Sequence, residues 1–260
     1  MKIGAIVAVN CDKENIWYCL RGIYDFCDEV VVVYSDVTWT GTKKEDETVK
    51  IIDTFPDEDR KLKIIKGSFL TQPEQRNVGL KYLKENNFDY VFVVDSDEFY
   101  SPSTLTSARG FIAKNPNKLA FRVFFRQMWK TLEWVLVPNK EFFAFFKLLP
   151  EFNFTGPSRQ AYYGTKSRSS KKHILMNMET IHNVDCFHLT CVCSDAYMKE
   201  KLLTRNYRDK VISRWFENVW LKWTPEMKNL HPTKPEIYKT AKLIDKKLLP
   251  NFVKTHKFYK

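Results

Sequence analysis

Three carboxylates stand within four residues in Asp95-Ser96-Asp97-Glu98. At that spacing they repel one another unless positive charge sits among them. The run before them, Val91 to Val94, is short, apolar and rich in β-branched residues, which predicts a strand buried on both faces. Acidic side chains at the carboxyl end of a buried parallel strand lie where open α/β sheets bind ligands. A hard divalent cation, Mn2+ or Mg2+, held by one or two carboxylates and the phosphate oxygens of a substrate, answers both the charge and the place. A solvated acidic turn is the alternative that spacing alone leaves open.

The elements that would carry these groups alternate in type. Ile3 to Val9 predicts a strand ending at Asn10, and Glu14 to Phe26 a helix on the spacing of Ile16, Leu20, Ile23 and Tyr24. Glu29 to Tyr34 predicts a second buried strand, followed by a polar loop, Ser35 to Thr42, and a helix through about Phe55. A third short strand at Lys63 to Ile65 precedes a helix from Pro73 to Asn86, with the proline in its first turn. Strands separated by helices imply an α/β fold with a mostly parallel, doubly wound sheet. Asn10, Ser35, Asp36, Asp95 and Asp97 would then gather on its carboxyl edge.

Past residue 105, Leu119 to Gln127, Leu132 to Val137 and Glu141 to Leu148 predict hairpin-like strands. Lys166 to Lys172 reads as a basic loop. Residues 195 to 221 predict a helix or a broken pair, with Met198, Leu202, Leu203, Val211, Ile212 and Trp215 toward the core and Lys199, Lys201, Arg205, Arg208, Lys210 and Arg214 opposite. The tail predicts a lysine-rich short helix near Ile237 to Leu249.

The chain has 260 residues, is 44% hydrophobic and carries a net charge of +11, which favours an anionic partner: nucleic acid, a nucleotide or an acidic membrane surface. No stretch approaches the roughly 20 apolar residues of a membrane span, and the apolar start is too short for a signal peptide. These features predict a soluble, cytoplasmic protein with reduced thiols. Cys186, His188, Cys191 and Cys193 lie close together but lack the paired spacing of a structural zinc site.

Three segments carry a family resemblance. DEVVVVYSDVTWTGT, Glu74-Gln75-Arg76-Asn77-Val78-Gly79 and VVDSDEF resemble, in that order, the second strand and loop, the nucleotide-side helix and the metal-binding D-x-D strand of family 2 glycosyltransferases of the GT-A fold. The match is clear over residues 1–105 and weaker to about 208. It implies a nucleotide-sugar-binding half (1–105), an acceptor-side half of the same domain (106–208) and a helical C-terminal extension (209–260). It also implies metal-dependent transfer of a sugar from a nucleotide sugar, UDP-linked, to an acceptor hydroxyl, with inversion. By that resemblance Asp97 binds the metal directly, and Asp95 binds it through water or holds the donor ribose. His188 becomes the third protein ligand, a nitrogen that suits Mn2+ better than Mg2+. Many relatives carry Asp where this chain has Ser35 or Asp36, so Asp36 is assigned to the nucleobase. Arg76 is assigned to the base or pyrophosphate, with a plain surface arginine as the alternative. Asn10 and Ser96 complete the donor set. The base that deprotonates the acceptor has no legible motif; Glu133, Glu151 and Asp185 are its candidates.

The positive charge is concentrated in the acceptor half: Lys166 to Lys172, Lys199 to Arg214, then the tail. Together with a Lys-, Phe-, Tyr- and Asn-rich composition of the kind many phage proteins have, this points to hydroxymethylated bases in phage DNA as acceptor. A glycan or surface polymer is the other reading. Two rival classes use the same features. A metal-dependent nucleotidyltransferase would more often show a Gly-rich basic loop after its first strand, and AVNCDKEN is not one. A non-catalytic, basic nucleic-acid-binding protein is disfavoured because the aromatics sit inside apolar runs and no recognised module is visible.

Overall fold

The β-branched runs form the middle of a sheet: Val30 to Val33 and Val91 to Val94 are all fully buried. The computed structural model describes residues 1–43, 45–157, 159–163, 177–204 and 208–260. The basic loop expected at Lys166 to Lys172 lies outside the described residues, as does Arg205. In chain order the elements begin β1 (Ile3–Val9), α1 (Ile16–Ile23), β2 (Glu29–Ser35), α2 (Thr48–Asp53), β3 (Leu62–Gly67), α3 (Gln72–Glu85) and β4 (Tyr90–Asp95). They continue with β5 (Glu98–Tyr100), α4 (Pro102–Lys114), β6 (Ala120–Trp129), β7 (Thr131–Val137) and β8 (Lys140–Lys147). Then come β9 (Phe152–Gly156), β10 (Gln160–Tyr163), β11 (Met178–Cys191), α5 (Asp195–Thr204) and β12 (Thr240–Leu243).

Two compact units result, each made of two stretches of chain. Unit 1 is Met1–Phe124 with Glu141–Cys186, and unit 2 is Phe125–Lys140 with Phe187–Lys260. In unit 1, β4, β1, β2 and β3 lie side by side and parallel, as the alternation of strands and helices predicts. Their registers, Ala8 with Asp95, Val9 with Tyr34 and Ser35 with Gly67, bring the carboxyl ends level on one edge. An antiparallel strand, β8, flanks β4 through pairs such as Val91 with Phe146.

α3 covers this sheet. Thr71 caps it by accepting the Glu74 N–H at 3.3 Å, and Pro73 occupies its first turn, where no N–H is needed. At Gly79 a Cβ would stand 3.0 Å from Val33 and 3.1 Å from Ile6, so a larger residue would need those side chains to give way by a few tenths of an ångström for the helix to lie this close to β1 and β2. Asn77 adds a two-way amide clasp to Phe154 of β9, at 2.9 and 3.0 Å. The N-terminal half of α3 is thereby fixed against the sheet's carboxyl edge.

Unit 2 is a tryptophan core under a short antiparallel ladder. β7 pairs with the end of β6 and with β12. Trp129, Trp215 and Trp220 are nearly sealed from solvent, and Trp129 meets Trp220 edge-on with centroids 5.2 Å apart. The 195–221 region is broken, the second of the two expected forms, into α5, a 3-10 turn at Arg208–Lys210 and a π-helical turn at Phe216–Trp220. Three expectations are corrected. Leu203 and Ile212 are 68% and 39% exposed rather than core. Lys201 is buried and donates to the Thr190 carbonyl at 2.8 Å. The helix expected near Ile237–Leu249 is instead β12 between two 3-10 turns, because Lys239 and Ile244 donate their N–H groups to Val137 and Glu133. Among the described residues no helix is long and apolar enough to cross a membrane.

Candidate active site

On the carboxyl edge of unit 1, two side-chain amides tie down β1, β2 and the loop that follows β2. Gln75 of α3, almost wholly buried, donates to the last carbonyl of β1, Val9 at 2.9 Å, and to Val33 of β2, two residues before that strand's end, at 2.6 Å. Asn10 donates to the Ser35 and Val37 carbonyls at 2.7 and 2.8 Å, so it shapes the loop after β2. Ser35 is fully buried, and its hydroxyl donates to the Val37 carbonyl at 2.8 Å. Asp36 is half-buried at the mouth of this loop and accepts a hydrogen bond from the Ser68 hydroxyl at 2.6 Å. Of the pair Ser35 and Asp36, only Asp36 presents a carboxylate toward solvent on this edge.

The acidic motif is a two-residue turn, Ser96-Asp97, between the last residue of β4 and the first of β5. Arg76 is no surface arginine: its side chain is fully buried and its Nη2 lies 2.6 Å from Asp95 Oδ1. Arg159 approaches Asp95 Oδ2 at 3.7 Å and forms a closer ion pair with buried Glu98. Partial burial works against charge on Asp95, but the two guanidiniums hold its carboxyl below the usual carboxylate range. The Ser96 hydroxyl donates to Asp12 Oδ2 at 2.7 Å. Beneath the turn lies Cys19, whose thiol donates to the Asp95 carbonyl at 3.6 Å. Burial raises that thiol's pKa most, and then Glu98, Asp12, Asp95 and Asp97 add to the rise. Four carboxylates therefore act on one point, and two buried guanidiniums answer two of them. Carboxylate oxygens gathered at a turn are the donors that a hard divalent cation takes.

The other expected residues are not all brought to this turn. Asp185 lies on β11, which pairs with β5, and the next residue, Cys186, is buried within the field of Glu98 and Arg159. Glu151 is exposed in the turn before β9, beside the last turn of α3: Lys84 donates to the carbonyls of Pro150 and Phe152. Eight residues of α3 separate Lys84 from Arg76, about 12 Å of helix, which removes Glu151 from the Asp95 end of the helix. Glu133 and His188 belong to unit 2. Glu133 is paired to Lys246 at 2.5 Å. His188 shares a 2.7 Å hydrogen bond with the Gln127 side chain and lies 4.7 Å from the Phe125 ring. Among the described residues no three His, Cys, Asp or Glu side chains stand together so as to hold a metal ion.

Three residues of this site were missed in the sequence: Asp12, Gln75 in its bridging role, and Arg159. Asp12 had a local signal, since its carbonyl accepts the N–H groups of Asn15 and Ile16 where α1 begins. Arg159 had none, for only the tertiary fold carries it to Asp95.

An α/β domain with an acidic turn on the carboxyl edge of its parallel strands carries that turn where open α/β sheets bind ligands. Residues 5–178 match the profile of glycosyl transferase family 2, which is most of the chain, and the chain belongs to that family. No curated protein matches it. Among solved structures it is similar to S. aureus TarS 1–349 in complex with UDP-GlcNAc (23% identity, 49% of this chain and 35% of that one, TM-score 0.40). It is also similar to the mannosyltransferase PcManGT from Pyrobaculum calidifontis in complex with GDP-Man and Mn2+ (16% identity, 78% and 61%, TM-score 0.49). The chain thus spans about a third and three fifths of the lengths of these two proteins.

Proposed function

We propose that this chain is a glycosyltransferase that moves a sugar from a nucleotide sugar, UDP-linked, to an acceptor hydroxyl. The observation that carries the reading is the Ser96-Asp97 turn on the carboxyl edge of a family 2 domain, bracketed by Asp95 and Glu98, which Arg76 and Arg159 hold. Asp97 is the direct ligand for a divalent cation, and Asp95, held by two arginines, is the outer ligand or ribose acceptor. Bound there, Mn2+ or Mg2+ supplies Lewis acidity toward the diphosphate leaving group. Asp36 faces the nucleobase, while Asn10 and Gln75 shape the floor beneath it. Ser96 is held by Asp12, so its contribution is to the shape of the turn. His188 remains proposed as a further ligand. Asp185, on the strand beside β5, is the better-supported base for an inverting displacement, ahead of Glu133 and Glu151.

For the acceptor we propose an anionic polymer, with hydroxymethylated DNA first. The support is the distribution of charge: unit 1 carries 23 Lys and Arg against 23 Asp and Glu, and unit 2 carries 19 against 8, so the whole excess of +11 belongs to unit 2. Phosphate backbones are bound largely through such excess. The test is a donor screen in Mn2+ that measures UDP and pyrophosphate release, followed by transfer assays on hydroxymethylcytosine-containing DNA and on glycans. UDP release with sugar incorporation is expected. Pyrophosphate in its place would move the protein to nucleotidyl transfer, and no incorporation into DNA with any active donor would remove that acceptor.

A further inference from the structure

Arg159 is an arginine where the backbone favours something else. Its φ is +60°, in the left-handed region that side chains other than glycine and asparagine rarely adopt. Its side chain is fully buried, which is rare for a charged group without partners. Nη1 donates to the Phe143 carbonyl at 2.9 Å, and the guanidinium lies 4.4 Å from the Phe142 ring centroid. Nη2 contacts Glu98 Oε2 and Asp95 Oδ2 together. Glu98 Oε2 in turn accepts the Asp95 N–H at 3.2 Å. Asp95 and Glu98 are the two residues that bracket the Ser96-Asp97 turn. One guanidinium therefore ties both feet of the loop that presents Asp97, and Arg76 holds the remaining oxygen of Asp95 at 2.6 Å.

We propose that Arg159 is the positioning residue of the D-x-D turn. Carried in at the start of β10, it fixes the direction of Asp97 and thereby the affinity of the site for a divalent cation with a nucleoside diphosphate. The inference rests on the donor-site reading above. A backbone conformation unfavourable for arginine is tolerated here because one arm of the fork anchors on the Phe143 carbonyl while the other reaches both carboxylates; strain of this kind collects at functional positions. Lysine would keep the charge and lose the fork.

The test uses the full chain with three substitutions: Arg159→Lys, Glu98→Gln, and Arg159→Met combined with Glu98→Gln. The double substitution removes one positive and one negative charge together, so the net charge of the site is unchanged and no buried ion is left alone. Mn2+ binding is followed by electron paramagnetic resonance, without and with UDP, alongside the thermal midpoint. Removing a group that orients a metal ligand costs about tenfold to a hundredfold in metal affinity. A loss of that size is expected in the double variant and in Arg159→Lys, with a midpoint near wild type in the double variant and a smaller loss in Glu98→Gln. Any folded Arg159 variant that binds Mn2+ and UDP as wild type does would overturn the proposal and leave Arg159 a purely structural ion. Should neither Arg159 variant fold, an unchanged affinity in Glu98→Gln overturns it equally, and a reduced one supports it. A wild-type protein that binds neither Mn2+ nor UDP would sink the donor-site reading itself, a result distinct from variants that match a competent wild type.

Discussion

The two units treat charge in opposite ways. Unit 1 has equal numbers of cationic and anionic residues, and near the site it pairs them one against one in the interior: Arg76 with Asp95, Arg159 with Glu98. Unit 2 keeps its excess on the surface, where Lys199, Arg208, Lys210, Arg214, Lys222 and Lys228 are all exposed. Buried charge fixes geometry because each ion must meet its partner in one arrangement. Surface charge of one sign fixes no geometry; it attracts. A single figure of +11 for the chain conceals this, since it describes unit 2 alone.

The sharpest way to break the comparison is Asp97→Asn. Loss of transfer by at least about a hundredfold is expected, the rate equivalent of several kcal/mol of charge stabilisation. The thermal midpoint without metal should hold or rise, because one repelling carboxylate has gone. Near-normal turnover would show that the turn is not the chemical centre.

Next in size is reversal of four exposed lysines of unit 2, Lys222, Lys228, Lys242 and Lys247, to Glu. Binding to duplex DNA should weaken by about tenfold or more at low salt, and the slope of log affinity against log salt should flatten by roughly one for every phosphate that the protein no longer neutralises. Stabilisation by UDP with Mn2+, about 2.7 kcal/mol at a hundredfold excess over the dissociation constant, should be untouched and should vanish in EDTA. If the reversal leaves DNA binding intact while it weakens UDP binding, the division of labour between the units is wrong.

The smallest effect is a pH dependence confined to unit 2. Burial, and then Lys234, push the pKa of His231 below its usual value, and its Nδ1 accepts the N–H groups of Thr233 and Lys234 at 3.2 and 3.1 Å. The folded state therefore binds fewer protons than the unfolded state, so its contribution is present above about pH 6.5 and is lost as pH falls below that. Denaturant melts from pH 7.5 to 5.5 should show this loss in the wild type and less of it in His231→Asn. An identical profile in both would place the acid sensitivity elsewhere.

What could be read in the sequence follows from how locally each feature is determined. β1, β2 and β4 were legible because strands buried on both faces must be continuously apolar, and α3 because Thr71, Pro73 and Gln75 to Gly79 mark its start. α4 was not legible: its buried face is only Leu105, Ala108 and Ile112, too sparse and small to show a period. Nor was β11, since its burial alternates irregularly through polar residues such as His182, Asn183 and Asp185. Asp95, Asp97 and Asp36 stand out because their spacing is chemical. The residues that hold them do not, because Asp12 meets Ser96 across 84 positions and Arg159 meets Glu98 across 61. Leu203 and Ile212 were misplaced for two different reasons: Leu203 lies within α5 but on its exposed face, and at Ile212 the helical period was followed beyond the point where the helix stops.

The amides of Asn10 and Gln75 have one more consequence. Carbonyls at and beyond the ends of parallel strands lose their ladder partners, and water would ordinarily meet them. Here Val9, Val33, Ser35 and Val37 are already answered by nitrogen from the protein. On the donor-site reading proposed above, a planar, uncharged ring would find here a floor whose shape does not depend on its arrival. Recognition of the base would then rest on fit and stacking, with few new hydrogen bonds to the backbone below. Selectivity among bases would come from the rim, where Asp36 stands, and a change there should alter which nucleotide is taken before it alters how tightly any nucleotide is held.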